Sequence, residues 1–480
     1  MKKQFRSDLT KYLLWIFAAF VVANLFPNIL ILVFIIFLSY KYIKSKDELV
    51  YFAVYISLIA DLAGLFGDNF NGLISISLIE FNLVQIFIFV NIIKYIVNFG
   101  QKNPILYFQK PIIVFLAYFV FLILSGFIFG VEDAGKSGLR HYYQIANVIV
   151  LMPIFLVLPY LLKADNFINR LSYILFFSVF LNIAGQVFML IWGVPISQFI
   201  NPPQNYSNIA GETNYIQDAL RPVIASWLVI LALFLSFFAI VKKSHLFKLN
   251  FLYLVLFASF FSIFITATRG WILAFMFFII LGTLLFSPKI GKRLAGALTY
   301  GAIVFFTLYG ASNLFKTQVD KSFERFSTIE LIAEGDISAG GTNIRHIRGA
   351  KVMEGFYKSP IIGLGFSSEG LKDADQHVGN QMILQSGGII GFIVIMYLLS
   401  KIYFKSLHLN KLLLKHRRNY ISYRGELKLI PVFLGSLFII HSTSTSLFGY
   451  SIYVIAYGNM LWVAIYISII NKILNEYINK

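Results

Sequence analysis

The chain contains no cysteine among its 480 residues, which excludes disulfides, thiol nucleophiles and thiolate metal cages. Charge is scarce as well. Only 13% of residues are Asp, Glu, Lys or Arg, against about 25% in a soluble domain. Acids are the scarcer sign, 22 against 40 Lys and Arg, for a net charge of +18. There is no internal repeat, low-complexity tract or separate soluble module. Also missing are ligand clusters at zinc or iron spacing, a Ser-His-Asp signature and a phosphate-cradling loop.

What is abundant is apolar surface: 58% hydrophobic residues, 17% aromatic, and a mean hydropathy of +0.77. Runs of roughly 18 or more mostly apolar residues mark membrane-spanning helices. They fall at 9–25, 27–43, 49–66, 73–97, 111–130, 142–162, 170–192, 220–241, 249–267, 270–287, 294–315, 379–403, 429–448 and 451–471. The expectation is an all-α polytopic membrane protein with about 12–14 transmembrane helices, forming one domain over 1–480. The N-terminal run resembles a signal peptide. A second span follows at once without a clear small-residue cleavage site, so it reads as a retained first helix.

Charge orients the spans. Alternate connections carry 28 of the 40 basic residues but only 6 of the 22 acids. By the positive-inside rule those connections, and both termini, are cytoplasmic. The excess of positive charge is then a topology signal, helped by anionic lipid at the inner surface, and needs no nucleic-acid partner. Basic runs such as KHRRNYISYR at 415–424 read as topology anchors.

Three connections on the opposite face are long: 131–141, 193–219 and the dominant 316–377. A polar loop of this length inside a membrane protein is usually functional. A helix is expected over 343–357, with Thr342 as its cap and an end before Pro360. PIIGLGF at 360–366 then turns the chain; its Gly-x-Gly lacks the strand and helix start of a nucleotide site.

Several residues could carry chemistry. Arg269 lies in TATRGW between two spans, on the face where basic residues are the minority. It is either a snorkelling interfacial arginine or a bidentate partner for a phosphate-bearing ligand. Arg345 and Arg348 share one face of the expected loop helix, either as solvated charge beside Lys351 and Glu354 or as part of an anion site with Arg269. His377 sits where the polar loop becomes helix, and an imidazole there could accept a proton from an attacking hydroxyl. A structural role is the plain alternative. His141 and His441 are weaker candidates; Glu212, Asp218 and Arg221 are further substrate contacts to consider. Asp61 and Glu80 fall in or near apolar spans and need a partner or a cavity, structural pairing being the simpler role. DAD at 373–375 could hint at a metal-binding carboxylate pair, but it sits in the last large loop, far from the first span.

These same segments resemble the O-antigen ligase and O-antigen/exopolysaccharide polymerase family, over roughly 255–400. TATRGW looks like the family's (Ser/Thr)-Arg-Gly element opening a transmembrane helix. Arg345 followed by Pro360 and Gly363-Leu-Gly365-Phe366 resembles its Arg…Pro-x-x-Gly-x-Gly pattern. His377-Val-Gly-Asn380…Gly387-Gly-Ile-Ile-Gly391 resembles the His-Asn…Gly-Ile-Ile-Gly element that ends the loop. Two residues separate His377 from Asn380 where adjacency is usual, and Gly349 stands where the family commonly has Trp.

The resemblance implies metal-independent, inverting glycan transfer from an undecaprenyl-pyrophosphate donor, at the periplasmic face of a bacterial inner membrane, without a cofactor. It makes Arg269 and Arg345, with Arg348 in support, the pyrophosphate-holding groups. It makes His377 the residue that orients or deprotonates the acceptor hydroxyl, with Asn380 and Arg221 near the substrate. The acceptor is a second glycan for a polymerase, which is the first reading, or lipid A-core for a ligase; a protein acceptor fits the same motifs. Membrane lipid and a chain-length regulator complete the partners. A reading of another class is a lipid-linked oligosaccharide flippase, which would call for broken helices and ionisable residues at the bilayer midplane.

Overall fold

The computed structural model describes residues 2–26, 28–70, 74–76, 79–98, 104–130, 145, 148–192, 194–201, 226–266, 268–286, parts of 299–323, 342–372, 378–416, 425–443 and 456–478. The side chains of Arg269, of 342–348 and of 74–81 lie outside that set. Long helices dominate. They are α1 (Lys2–Leu25), α2 (Asn28–Lys44), α3 (Leu49–Ile59), α4 (Leu83–Val97), α5 (Gln109–Phe129), α6 (Ile154–Leu161) and α7 (Phe167–Trp192). They continue with α8 (Trp227–Val241), α9 (Leu249–Ile265), α10 (Arg269–Leu285), α11 (Thr342–Lys358), α12 (Asn380–His416), α13 (Leu429–Thr443) and α14 (Ala456–Ile478).

Five described helices are long and apolar enough to cross a membrane: Lys3–Leu25, Gln109–Phe129, Phe167–Trp192, Asn380–His416 and Asn459–Ile478. Several shorter apolar helices pack among them. The outside of the bundle carries many large apolar side chains. Phe17, Ile29, Ile36, Ile96, Leu124 and Ile128 are all more than half exposed. An apolar surface of that extent suits lipid and not water, so this is an integral membrane protein.

One expected span is different. Residues 73–97 do not form a single helix: Ile74–Ile76 and Ile79–Phe81 pair as a small antiparallel hairpin, with Glu80 opposite Ser75. Asn82 then starts α4, its side chain accepting from the Gln85 backbone while Gln85 reciprocates on the Asn82 backbone. That capping box fixes the helix start at Leu83, ten residues later than the apolar run begins. The run over 49–66 also shortens, because the chain leaves α3 at Ile59 through left-handed backbone at Asp61–Ala63. Asp61 is paired as expected: its Oδ1 accepts from the backbone N–H of Phe66 and of Gly67, both at 2.9 Å.

The first four basic connections meet at one end. Arg170, at the start of α7, holds Asp8 of α1 in a two-pronged pair at 2.7 and 3.0 Å and reaches Asp47 at 2.6 Å. Lys94 Nζ donates to the Tyr42 and Ser45 carbonyls at the end of α2. Glu48, before α3, accepts the backbone N–H groups of Lys163 and Ala164 at 2.7 and 2.8 Å. Burial pushes the Glu48 carboxyl above the usual carboxylate range, outweighing those backbone donors.

Candidate functional site

In the TATRGW segment, Thr266 caps the end of α9 and Thr268 the start of α10. Thr266 closes α9, with its hydroxyl donating to the Ile263 carbonyl at 2.6 Å. Thr268 takes extended backbone, and its carbonyl accepts the first bonds of α10 from Trp271 and Ile272. Arg269 is therefore the first residue of α10. Unpaired N–H groups at a helix start favour an anion, the same preference as the guanidinium's own.

Helix α13 carries this corner to the rest of the site. A Cβ on Gly435 would meet the Phe277 ring at 2.7 Å, and one on Gly282 would reach Leu429 at 3.7 Å behind the nearer Phe237 ring, so α10 and α13 run antiparallel. Arg269 is eight residues before Phe277, and Thr443 is eight residues after Gly435. The two helix ends are thus level, each about 12 Å from the crossing. Ser442 at that end accepts the Asn380 amide at 2.7 Å. A Cβ on Gly379 would press on the carbonyls of His441 and Ser442, which places the entry to α12 directly against the end of α13.

The loop helix joins the same corner. A Cβ on Gly349 of α11 would meet the Gln381 side chain at 2.8 Å, and one on Gly355 would meet Gln385 at 2.9 Å. Helix α11 therefore lies parallel to the first turns of α12. Arg345 and Arg348 occupy the turn just before Gly349, the residue that faces Gln381. On the other side, Gln318 donates to the Ile265 carbonyl at 2.8 Å, holding the start of the loop against the end of α9. The helix expected over 343–357 is thus present over Thr342–Lys358.

The Gly-x-Gly turn has a structural task. Helix α12 breaks at Gly388 (φ 58, ψ −155). The backbone N–H groups of Leu364 and Gly365 donate to the Gln385 and Ser386 carbonyls at 2.8 Å each, just before the break. Ile389 and Ile390 in turn donate to the Pro360 and Ile361 carbonyls at 2.9 and 3.1 Å. Phe366 N–H reaches the Leu122 carbonyl of α5 at 2.9 Å. Gly363 (φ 69) lies against the Ser386 and Gly387 backbone, where no side chain fits. The two glycine motifs are one interlocked joint, in which the backbone groups freed by the break are satisfied within the protein.

Of the site residues read from sequence, the described backbone thus brings together Arg269, Arg345, Arg348 and Asn380. His377 and Arg221 lie outside the described residues, as do His141, Glu212, Asp218 and the DAD segment. Two residues gain weight. His441 is fully buried, its ring 6.2 Å from that of Phe438, and its carbonyl touches Gly379. Ser442 anchors Asn380, whose Oδ1 is buried with no hydrogen-bond partner among the described residues. The only hint of Ser442 in the sequence is the hydroxyl-rich HSTSTS at 441–446.

One turn below Thr266 the helices share a polar seam. Asn182 of α7 donates to Ser262 Oγ at 2.7 Å, and Gln186 to the Ser262 carbonyl at 3.0 Å. Both amides are buried. No family model and no curated protein matches this chain, so its function is read from its own residues.

Proposed function

We propose that this protein is a membrane glycosyltransferase joining undecaprenyl-pyrophosphate-linked oligosaccharide repeat units by metal-independent, inverting transfer. The observation that supports it is the shared corner. The helix opened by Arg269, the helix carrying Arg345 and Arg348, and the Asn380–Ser442 pair all reach one end of the bundle. Three arginines from two separate helices at one end of the bundle suit a pyrophosphate on a lipid carrier.

In this reading Arg269 and Arg345, supported by Arg348, neutralise the pyrophosphate as the anomeric carbon–oxygen bond breaks. His377 takes the proton of the acceptor hydroxyl as that oxygen attacks. Asn380 Oδ1 is available to accept from the same hydroxyl and orient it. Pyrophosphate is a good leaving group, so the reading calls for no cofactor. About 12–14 spans, cytoplasmic termini and a periplasmic site in a bacterial inner membrane complete the proposal, with a glycan acceptor for a polymerase or lipid A-core for a ligase.

The test is transfer by purified protein from an undecaprenyl-pyrophosphate-linked oligosaccharide of its own host, in EDTA, with products resolved by gel. A ladder of longer lipid-linked glycans without added acceptor supports a polymerase. Transfer only when lipid A-core is supplied supports a ligase.

The broken helix α12 favours a second reading, a flippase for the same lipid-linked oligosaccharide. Absence of transfer in both assays, with loss of transport on replacing Glu80, would support it. His441 does not separate the two readings, because it lies at the shared corner.

A further inference from the structure

The segment after α11 belongs to the loop read from sequence as polar and extracytoplasmic, yet it packs against the side of α5 below that helix's end. Helix α5 has 21 residues, about 31 Å, and so matches the roughly 30 Å hydrocarbon core. Leu122, whose carbonyl holds Phe366, precedes the end of α5 by seven residues, which is about 10 Å. At this level α5 exposes Leu124 (59%) and Phe127 (52%), the apolar surface already assigned to lipid.

The boundary with water is marked nearby. Ser368 N–H donates to the Gly130 carbonyl just past the end of α5, and the next residue, Glu369, pairs with Lys358. Both charged side chains are about half exposed. From this rim the chain descends from Lys358 to Ile361, whose carbonyl binds Ile390, and climbs back through Phe366. Ile361 is 64% exposed and continues the exposed surface of Ile389, Ile390 and Ile393 on α12. Tyr357, 72% exposed beside the ion pair, occupies the depth at which tyrosines collect in membrane proteins.

We propose that the end of α11 and the turn 359–366 form a re-entrant element embedded in the leaflet on the Gly130 side, with Ile361 among the acyl chains and Tyr357 at the headgroup boundary. Its irregular backbone is tolerated there because α5 and the break in α12 take up its hydrogen bonds. The partner is phospholipid, and continuity with the lipid-facing surfaces of α5 and α12 assigns it. The element pins α11, and the backbone of Arg345 and Arg348 with it, at the membrane surface. This inference does not rest on the glycosyl-transfer reading.

The absence of cysteine makes site-directed spin labelling direct. Single substitutions Ile361→Cys, Tyr357→Cys, Leu124→Cys and Lys351→Cys in the full chain are labelled with a nitroxide. Each is then reconstituted in vesicles of phosphatidylethanolamine and phosphatidylglycerol. Collision with oxygen is compared with collision with a water-soluble nickel chelate. The oxygen-to-nickel ratio at 361 should match that at 124 and exceed that at 351 severalfold, with 357 between them. A ratio at 361 equal to that at 351 would place the turn in water and overturn the proposal. Exclusion of both reagents at 361 would mean that protein covers the patch, and would overturn it equally. Should Ile361→Cys fail to fold, Tyr357→Cys reports the same boundary, and a ratio there no higher than at 351 counts against the proposal.

Discussion

Asn380 donates its side-chain amide to Ser442 across 62 residues of sequence, tying the first residue of α12 to the end of α13 at 2.7 Å. This bond fixes which way Asn380 Oδ1 faces. Ser442→Ala should weaken glycan transfer by about fivefold to tenfold, the worth of one part-buried hydrogen bond, while leaving the amount of protein unchanged. Asn380→Ala, which also removes the free oxygen, should cost more. Equal activity of both variants and the parent in the ladder assay would remove Asn380 from the site.

Arginine at the shared corner is expected to act in the transition state. Arg269→Ala or Arg345→Ala should each lower turnover about a hundredfold, about 3 kcal/mol, as for loss of one preorganised contact to developing charge. Lysine at either position should restore only part of this, because the ammonium cannot form the bidentate contact. If all three of Arg269→Ala, Arg345→Ala and His377→Ala transfer glycan at the parental rate, the catalytic reading is wrong.

The glycine joint makes a prediction about stability. Gly363→Ala forces a Cβ into left-handed backbone and against the carbonyl of Ser386, at a cost of at least ~1–3 kcal/mol. Thermal unfolding followed by size-exclusion chromatography in detergent should show a clear fall in midpoint. An unchanged midpoint would mean that the turn and the break in α12 are not locked together.

At the opposite end, Arg170 and Asp8 are nearly fully buried, whereas Asp47 is about half exposed. Asp8→Ala should therefore destabilise by about 3–5 kcal/mol, because it strands a buried guanidinium. Asp47→Ala should cost about 1 kcal/mol or less. Equal losses would contradict the burial of the first pair.

Glu48 supplies a pH dependence. Its folded carboxyl is held above the ordinary range, so the folded state binds the proton more tightly than the unfolded one. The parent should lose stability as pH rises from the ordinary carboxylate value through the raised folded one. Glu48→Gln keeps an oxygen for the Lys163 and Ala164 N–H groups and should flatten that slope. Identical slopes in parent and variant would rule Glu48 out as the titrating group.

The spans around Arg269 were legible because TATRGW interrupts an otherwise apolar run. The expected 249–267 and 270–287 correspond to Leu249–Ile265 and Arg269–Leu285. The loop helix was legible for the same kind of reason, since Pro360 bars its continuation. Hydropathy could not separate the hairpin at 74–81 from α4, because the Asn82–Gln85 cap changes the backbone without changing the apolar average. It also ended α12 early: the expected 379–403 runs on to His416, as a helix persists once its residues turn polar beyond the membrane. At the site, Arg269, Arg345 and Arg348 stood out as charges in apolar or patterned surroundings. Ser442 did not, since a serine at a helix end carries no sign of a partner 62 residues upstream.

The bent helix α12 has a consequence for descent. The carbonyls before its break are taken by residues 364 and 365, and the N–H groups after it by the carbonyls of 360 and 361. The bend is consequently a locked elbow and not a hinge, and neither strand of it is free to drift alone. Among sequences descended from a common ancestor with this one, residues 360–366 and 385–391 should change as a pair. A lineage that straightened the helix would have to surrender the loop's turn in the same step.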